Sequence, residues 1–374
     1  MFNVRVLRVA AQAVFLVVVV VVLLYLADNY QANTRGGSTG WGFLREPAGF
    51  GITDTDFRGG NSNWQAIVIG IRNTLLAAAV GIVLASIIGL IVGIMRLSRN
   101  WLVQKAATLY VESIRNIPVL LIILFTAAAF RPLPPIGDPA TPLGWFVISN
   151  QWLAIPSLIA NDTVPIYLGL LAAAAIAAVL IGRWRTKASE RTGAPHHRLL
   201  YGAGLMVGVA TVGWLALQPF DVSLPRVEDG VIIGGFRIGV VDYAPLTLAL
   251  ALYTASHIAE IVRGSILAVP RGQTEASTAL GLSEFQRLRY VVLPQALRVA
   301  IPPTLNQYLS LTKNTSLGIA VAYSDLFNIV NRIVNTGSPA LESYALVMAI
   351  YLIISLVTSL LVNLVNRRYQ LVER

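Results

Sequence analysis

The chain has 374 residues, 56% of them hydrophobic and only 12% charged, with a formal net charge of +10. Soluble proteins carry about twice that charged fraction, so too little polar material is present to coat a soluble globule, and several membrane spans account for the length. No cysteine occurs, which excludes disulfides, thiolate metal sites, iron–sulfur ligation and a thioether lipid anchor.

A helical span needs about 20 mostly apolar residues. Eight stretches qualify: 9–27, 68–95, 106–130, 164–182, 200–218, 243–268, 304–322 and 344–366. The first follows Arg5 and Arg8. It is long for a signal-peptide core and no small-x-small cleavage site follows, so it reads as an uncleaved anchor. With the N-terminus inside, the inner connections carry Arg96, Arg99 and Lys105, then Arg183, Arg185, Lys187, Arg191 and Arg198, then Arg263, Arg271, Arg287, Arg289 and Arg298, then Arg367, Arg368 and Arg374. The outer connections hold most of the acids, among them Asp54, Asp56, Asp138, Asp162, Asp221, Glu228, Asp229 and Asp242. This is the positive-inside pattern, and it puts both termini in the cytoplasm. The basic residues therefore report topology. Clustered cations interleaved with aromatics, as nucleic acid requires, are missing. The outer stretches 28–67 and 131–163 are rich in Gly, Pro, Asn and Asp and are expected to form turns rather than regular elements, with Trp145 and Trp152 as interfacial anchors.

No G-x-x-x-x-G-K-[ST] loop occurs, so ATP is not bound by that route. No dinucleotide fingerprint, H-E-x-x-H or G-x-S-x-G occurs either. His196 and His197 read as a solvated loop pair beside Pro195. His257 reads as a packing residue in an apolar helix, without a second ligand at helical spacing. No catalytic residue, no metal site and no bound cofactor are expected.

The inner stretch 270–295 is more than a loop. Gln273 to Leu280 is helical in character, and Gly281 can end that helix with positive φ. Ser283 can cap a second helix, with Gln286 in the reciprocal position, and Leu293-Pro294 is expected to stop it. The product is a helix–glycine–helix elbow with Ala276, Ala279, Leu280 and Leu282 near the bend. Such an apolar elbow suits a cytosolic partner; an amphipathic pair lying on lipid is the competing reading.

Glu275-Ala276-Ser277, three further residues, Gly281 and then Leu293-Pro294 resemble the EAA loop of ABC importer permeases. Tyr253 through Pro270, Gly272-Gln273, Leu293-Pro294-Gln295-Ala296, Pro302-Pro303, Asn306-Gln307 and Leu311 through Leu317 resemble the polar amino-acid branch of that family, as does Glu112-Ser113-Ile114-Arg115-Asn116-Ile117-Pro118. The likeness covers 68–130 and 243–366, about half the chain. The extra first span and the insert 131–242 resemble the longer permeases of general L-amino-acid importers. Two positions depart from the family pattern. Ser277 is a small polar residue at a close-packing position, where docking is expected to persist. Asn314 stands where the family often has Asp, so Lys313 lacks that charge partner.

The resemblance implies an all-α polytopic protein of about eight transmembrane helices: a five-helix type I permease core, an N-terminal helix and a two-helix insert. The divisions are 1–67, 68–130, 131–242 and 243–374. It implies alternating access in the bacterial inner membrane, driven by ATP and Mg on a pair of separate ATPase subunits that dock at Glu275, Ala276, Ser277, Ala279, Leu280, Gly281 and Leu282. It further implies a periplasmic solute-binding protein and a second, non-identical permease. No nucleic-acid partner is expected; lipid surrounds the spans.

Ionisable groups inside spans raise functional questions. Glu112 and Arg115, and Glu260 and Arg263, stand i,i+3 and can each self-neutralise. They also fit cross-helix bridges closing an inner gate, or a substrate contact; Asn116 lies beside the first pair. Pro302-Pro303 is expected to restart the seventh helix near Thr304, which puts Lys313 near mid-membrane with Asn314, Thr315 and Ser316 adding polar groups beside it. Lys313 either attracts an amino-acid carboxylate or bonds carbonyls of a neighbouring helix. An ion-coupled secondary transporter using Glu112, Glu260 and Lys313 as a relay is the alternative; the elbow and the missing internal repeat stand against it.

Overall fold

The computed structural model describes residues 4–33, 40–52, 55–192, 197–228 and 230–369. His196, Asp54, Asp229 and Arg374 lie outside the described residues. The chain divides into two compact units, Met1–Ala128 with Pro245–Arg374, and Ala129–Ala244.

The first unit is helical. It contains α1 (Val4–Asn33), α2 (Asn63–Met95), α3 (Trp101–Arg115) and α4 (Val119–Phe130). After the second unit follow α7 (Tyr243–Leu267), α8 (Arg271–Ala279), α9 (Glu284–Arg287), α10 (Leu293–Asn314), α11 (Leu326–Asn335) and α12 (Ala340–Tyr369). Ser62 caps α2 in a reciprocal box with Gln65. The apolar α2 buries one stripe of small residues: Ala66, Gly70, Thr74, Ala78, Gly81, Ala85, Gly89 and Gly93. Small side chains allow backbones to approach where lipid removes the hydrophobic drive between helices. A Cβ on Gly70 would stand 2.9 Å from the Leu326 Cα, and one on Gly81 3.3 Å from the Leu311 side chain. One on Gly89 would stand 2.7 Å from the Ile258 side chain. Thus α2 forms an axis against which α7, α10 and α11 pack. Hydrogen bonds reinforce it: Asn73 donates to the Ser324 carbonyl (2.8 Å), and the Leu326 amide donates to the Thr74 hydroxyl (3.1 Å).

The stretch 40–62 departs from the turn-only expectation. It buries Phe43, Ala48, Ile52 and Phe57 against Ile67, Leu326, Ile329, Ile333 and Val347. Arg332 lies over the Phe50 ring at 4.2 Å and donates to the Gly51 carbonyl at 2.9 Å. These partners are remote in sequence, so local turn chemistry gives no sign of them.

Three helix expectations are corrected. Stretch 106–130 is not one continuous helix: α3 and α4 meet at 111°. Pro118 supplies no amide and disfavours helix at Ile117, while Asn116 turns its side chain back onto the Glu112 carbonyl (2.7 Å). Leu293-Pro294 does not stop the elbow's second helix. A π turn, Leu288–Val292, joins α9 to α10, with Pro294 in the first turn of α10. The widened register moves the carbonyl that a proline ring would otherwise strike. Pro302 and Pro303 lie inside α10 rather than restarting it. They remove two backbone bonds, a loss that membrane helices tolerate when neighbouring groups re-satisfy the carbonyls.

The described residues of the second unit hold α5 (Val164–Thr192) and α6 (Arg198–Leu217), packed as an antiparallel hairpin, and seven short strands. Strands β1 (Val147–Ile148), β2 (Trp152–Ile155) and β7 (Phe236–Gly239) form one antiparallel sheet. Strands β3 (Ser157–Ala160) and β4 (Phe220–Ser223) pair, as do β5 (Arg226–Glu228) and β6 (Val231–Ile233). Three of these strands stand in 131–163, where composition favours turns alone. Strands β2 and β3 take partners at 236–239 and 220–223, beyond the reach of local pattern. Trp152 is accordingly a half-buried strand residue with Arg237 over its ring at 5.7 Å; Trp145 is exposed.

Among the described residues, five helices are long and apolar enough to cross a membrane: α2, α5, α6, α7 and α12. Counting each of two bent pairs as one span raises this to seven. In α1 the apolar stretch is the shorter Ala11–Val22.

Candidate functional site

The close α2–α7 approach determines what stands at the Met95 end of α2. A Cβ on Gly93 would lie 2.8 Å from the Val262 side chain and 2.9 Å from the Ala259 carbonyl. Arg96, one turn later, therefore meets Glu260. Its guanidinium pairs through Nη1 with Glu260 Oε2, and its Nη2 stands 3.4 Å from Glu112 Oε1 on α3. The Arg96 side chain is only 9% exposed, while Glu260 is 28% and Glu112 63% exposed. Arg263 Nε donates to Glu260 Oε2 at 3.1 Å. Tyr110 of α3 donates its hydroxyl to the Leu252 carbonyl of α7 at 2.7 Å, fixing α3 alongside. One buried arginine thus ties the ends of α2, α3 and α7.

This alters the pairing inferred from spacing. Glu260 and Arg263 do pair within α7. Glu112 takes Arg96, while Arg115 and Asn116 stand at the end of α3, Asn116 exposed and Arg115 exposed beside it. Sequence reasoning assigns Arg96 only a topological role. The available signal is Gly89-x-x-x-Gly93 immediately before it, since two glycines one turn apart in an apolar helix mark a close crossing.

The elbow lies in the same unit. Helix α8 ends at Ala279 with Leu280 as its C-cap, and Gly281 takes φ +74°. Ser283 then caps α9 and forms the reciprocal box with Gln286. Arg287 Nη1 donates to Thr278 Oγ1 at 3.2 Å, bracing one limb against the other. Leu280 is 81% and Phe285 68% exposed, leaving an uncovered apolar tip. Ala276, Ala279 and Gly281 are exposed with it, as is Glu275, and Leu282 is half-buried. Ser277 faces inward: it is buried, with its hydroxyl donating to the Thr274 carbonyl at 2.8 Å. Arg99, in the α2–α3 connection, reaches Glu284 of α9 at 3.1 Å. The elbow and the Arg96 cluster are therefore joined through three residues of backbone.

Lys313 occupies the last turn of α10. Leu311, two residues earlier, lies on Gly81, about 27 Å along α2 from Asn63 at 1.5 Å per residue. Lys313 thus stands near the middle of the α2 axis and is exposed, although α10 begins eleven residues before the expected restart at Thr304. Beyond Asn314, which is half-buried, the helix tightens to a 3₁₀ stretch over Thr315–Val321. Thr315 is buried and donates to the Thr312 carbonyl (2.8 Å); Ser316 donates to the Lys313 carbonyl (2.9 Å). Such a change of helix type in mid-span is a feature of hinges. His257 packs edge-on to Tyr253, centroids 4.8 Å apart, and its Nε2 is buried without a hydrogen-bond partner among the described residues.

The described residues thus form a bundle of apolar helices of membrane-spanning length, with an ion-paired cluster near the ends of three of them and an exposed apolar elbow. The family described as "Binding-protein-dependent transport system inner membrane component" matches residues 230–371. The general L-amino acid transport system permease protein AapQ of Rhizobium johnstonii is 40% identical, over 97% of this chain and 92% of that protein. The putative amino-acid ABC transporter permease protein YhdX of Escherichia coli is 38% identical over 97% and 93%. The glutamate/glutamine/aspartate/asparagine transport system permease protein BztB of Rhodobacter capsulatus is 35% identical over 100% and 96%. The chain belongs to this family of inner-membrane permeases of ABC importers, which work with ATPase subunits and a binding protein and are not themselves enzymes.

Proposed function

We infer that the chain is one permease half of an ATP-driven importer of L-amino acids of polar or broad selectivity. The carrying observation is the full-length similarity to AapQ: it includes the first helix and 131–242, beyond the shared core. In this reading eight spans cross the bacterial inner membrane, with both termini cytoplasmic, and the permease core is built from 68–130 and 243–366. A second, non-identical permease completes the pore, and a periplasmic solute-binding protein delivers substrate to the outer face.

Glu275, Ala276, Ala279, Leu280 and Gly281 meet a pair of ATPase subunits, which hold the ATP and Mg; Ser277 and Leu282 pack the elbow from within. The exposed apolar tip supports this role. Arg96 makes the inner ends of α2, α3 and α7 move as one body when the elbow is pushed, and Arg99–Glu284 joins that body to the elbow. Lys313, exposed at mid-axis beside the 3₁₀ stretch, attracts the substrate carboxylate.

The test is uptake of labelled L-amino acids by proteoliposomes containing the whole complex, with ATP inside and binding protein outside. Uptake is expected to need both and to survive collapse of proton and sodium gradients. Uptake that stops on gradient collapse with ATP maintained would overturn the reading.

A further inference from the structure

Within the second unit, α5 and α6 enclose a groove of about 750 Å³ toward their connected ends. It is lined by Ala178, Val179, Ala203 and Met206 and, at the end nearer the helix connection, its mouth, by Arg183 and Lys187. These two cations stand i,i+4 on one face of α5, directly above Val179 on the same stripe. Gly182 and Gly202 also line the groove. Among the described lining residues one carboxylate, Glu190, follows Lys187 at i,i+3 on α5. From 183 to 198 the sequence holds five basic residues against that single acid.

Aromatics mark the depth of the mouth. Trp184 is exposed beside Arg183, and Arg185 lies over the Tyr201 ring at 4.0 Å. Amphipathic rings and basic side chains collect at the headgroup level of a bilayer, while the helix faces below are apolar and exposed. A cationic mouth at headgroup depth above an apolar trough matches one chemistry, a phosphate ester carrying acyl chains. A soluble anion leaves the trough empty, and a zwitterionic lipid leaves the cations uncompensated.

We propose that the α5–α6 groove is a binding site for an anionic phospholipid, with the phosphate between Arg183 and Lys187 and one acyl chain along Val179, Ala203 and Met206. The site fastens the hairpin to the membrane at a defined depth and makes the complex sensitive to anionic lipid.

The test uses the complete transporter in vesicles of equal phosphatidylglycerol and phosphatidylcholine, with retained lipid counted by native mass spectrometry. Phosphatidylglycerol is expected to be retained in preference. Arg183→Gln with Lys187→Gln is expected to lower that preference by roughly thirtyfold, at the usual weight of two cations near an anionic surface, while the complex still assembles. A second measurement needs no variant: photoreactive phosphatidylglycerol should label peptides within 178–206 of the unaltered protein, in competition with phosphatidylglycerol but not glycerol phosphate. Equal retention of both lipids, an unchanged preference in the double variant, labelling elsewhere only, or competition by glycerol phosphate would each overturn the proposal.

Discussion

Replacing Arg96 by Gln removes a side chain that joins α2 to both α3 and α7 at this end. Breaking a fully buried ion pair from one side costs about 3–5 kcal/mol, but two features reduce that here. Glu260 keeps Arg263 at 3.1 Å and is 28% exposed, so it is not stranded. Glu112 is 63% exposed, and an exposed pair contributes only about 0–1 kcal/mol. The expected loss is therefore about 1–2 kcal/mol, most of it from the Glu260 contact. Measured as the thermal midpoint of the purified complete transporter, Arg96→Gln should lower it by a few degrees and Glu112→Gln should leave it nearly unmoved. In a double-mutant cycle, Arg96→Gln with Glu260→Gln should lose less than the sum of the two singles. ATP-driven uptake should fall more than assembly, because the elbow then pushes on three loosely joined helices. A Glu112→Gln loss as large as that of Arg96→Gln, or strict additivity with Glu260→Gln, would refute the reasoning.

Leu280→Asp should leave the chain folded, since the side chain is 81% exposed, yet abolish co-purification of the ATPase subunits; retained co-purification would remove the elbow from the coupling site. Gly281→Val should do the same and also lose about 1–2 kcal/mol of stability, because φ is +74°. Gly89→Val should destabilise by about 1–3 kcal/mol by overpacking against Ile258, whereas Gly264→Ala, inside α7 with open space around it, should be neutral or raise stability by up to about 1 kcal/mol in the same melting assay. Lys313→Met should abolish uptake while assembly and ATPase activity persist; loss of assembly would make the lysine a structural strut.

Much of this protein is legible in the order of its residues alone. The scarcity of charge and the apolar runs define a polytopic membrane protein, because a bilayer accepts only segments whose backbone bonds close internally. The elbow is legible almost residue by residue: Gly281 supplies the left-handed turn and Ser283 with Gln286 the cap, and these are local interactions complete within a few residues. The EAA-like pattern then points to the family.

What the tertiary structure decided depends on residues distant in the chain. Spacing alone joins Glu112 to Arg115. Gly89 and Gly93, by admitting the α7 backbone, bring Arg96 to Glu260 and Glu112 instead. The sole partner of β3 among the described residues, and the second partner of β2, lie beyond residue 219. Prolines mislead for a related reason. Whether one ends a helix depends on what else can satisfy the freed carbonyl and on the local register, so Pro118 breaks a helix, while Pro294 follows a π turn and Pro302 and Pro303 ride inside α10.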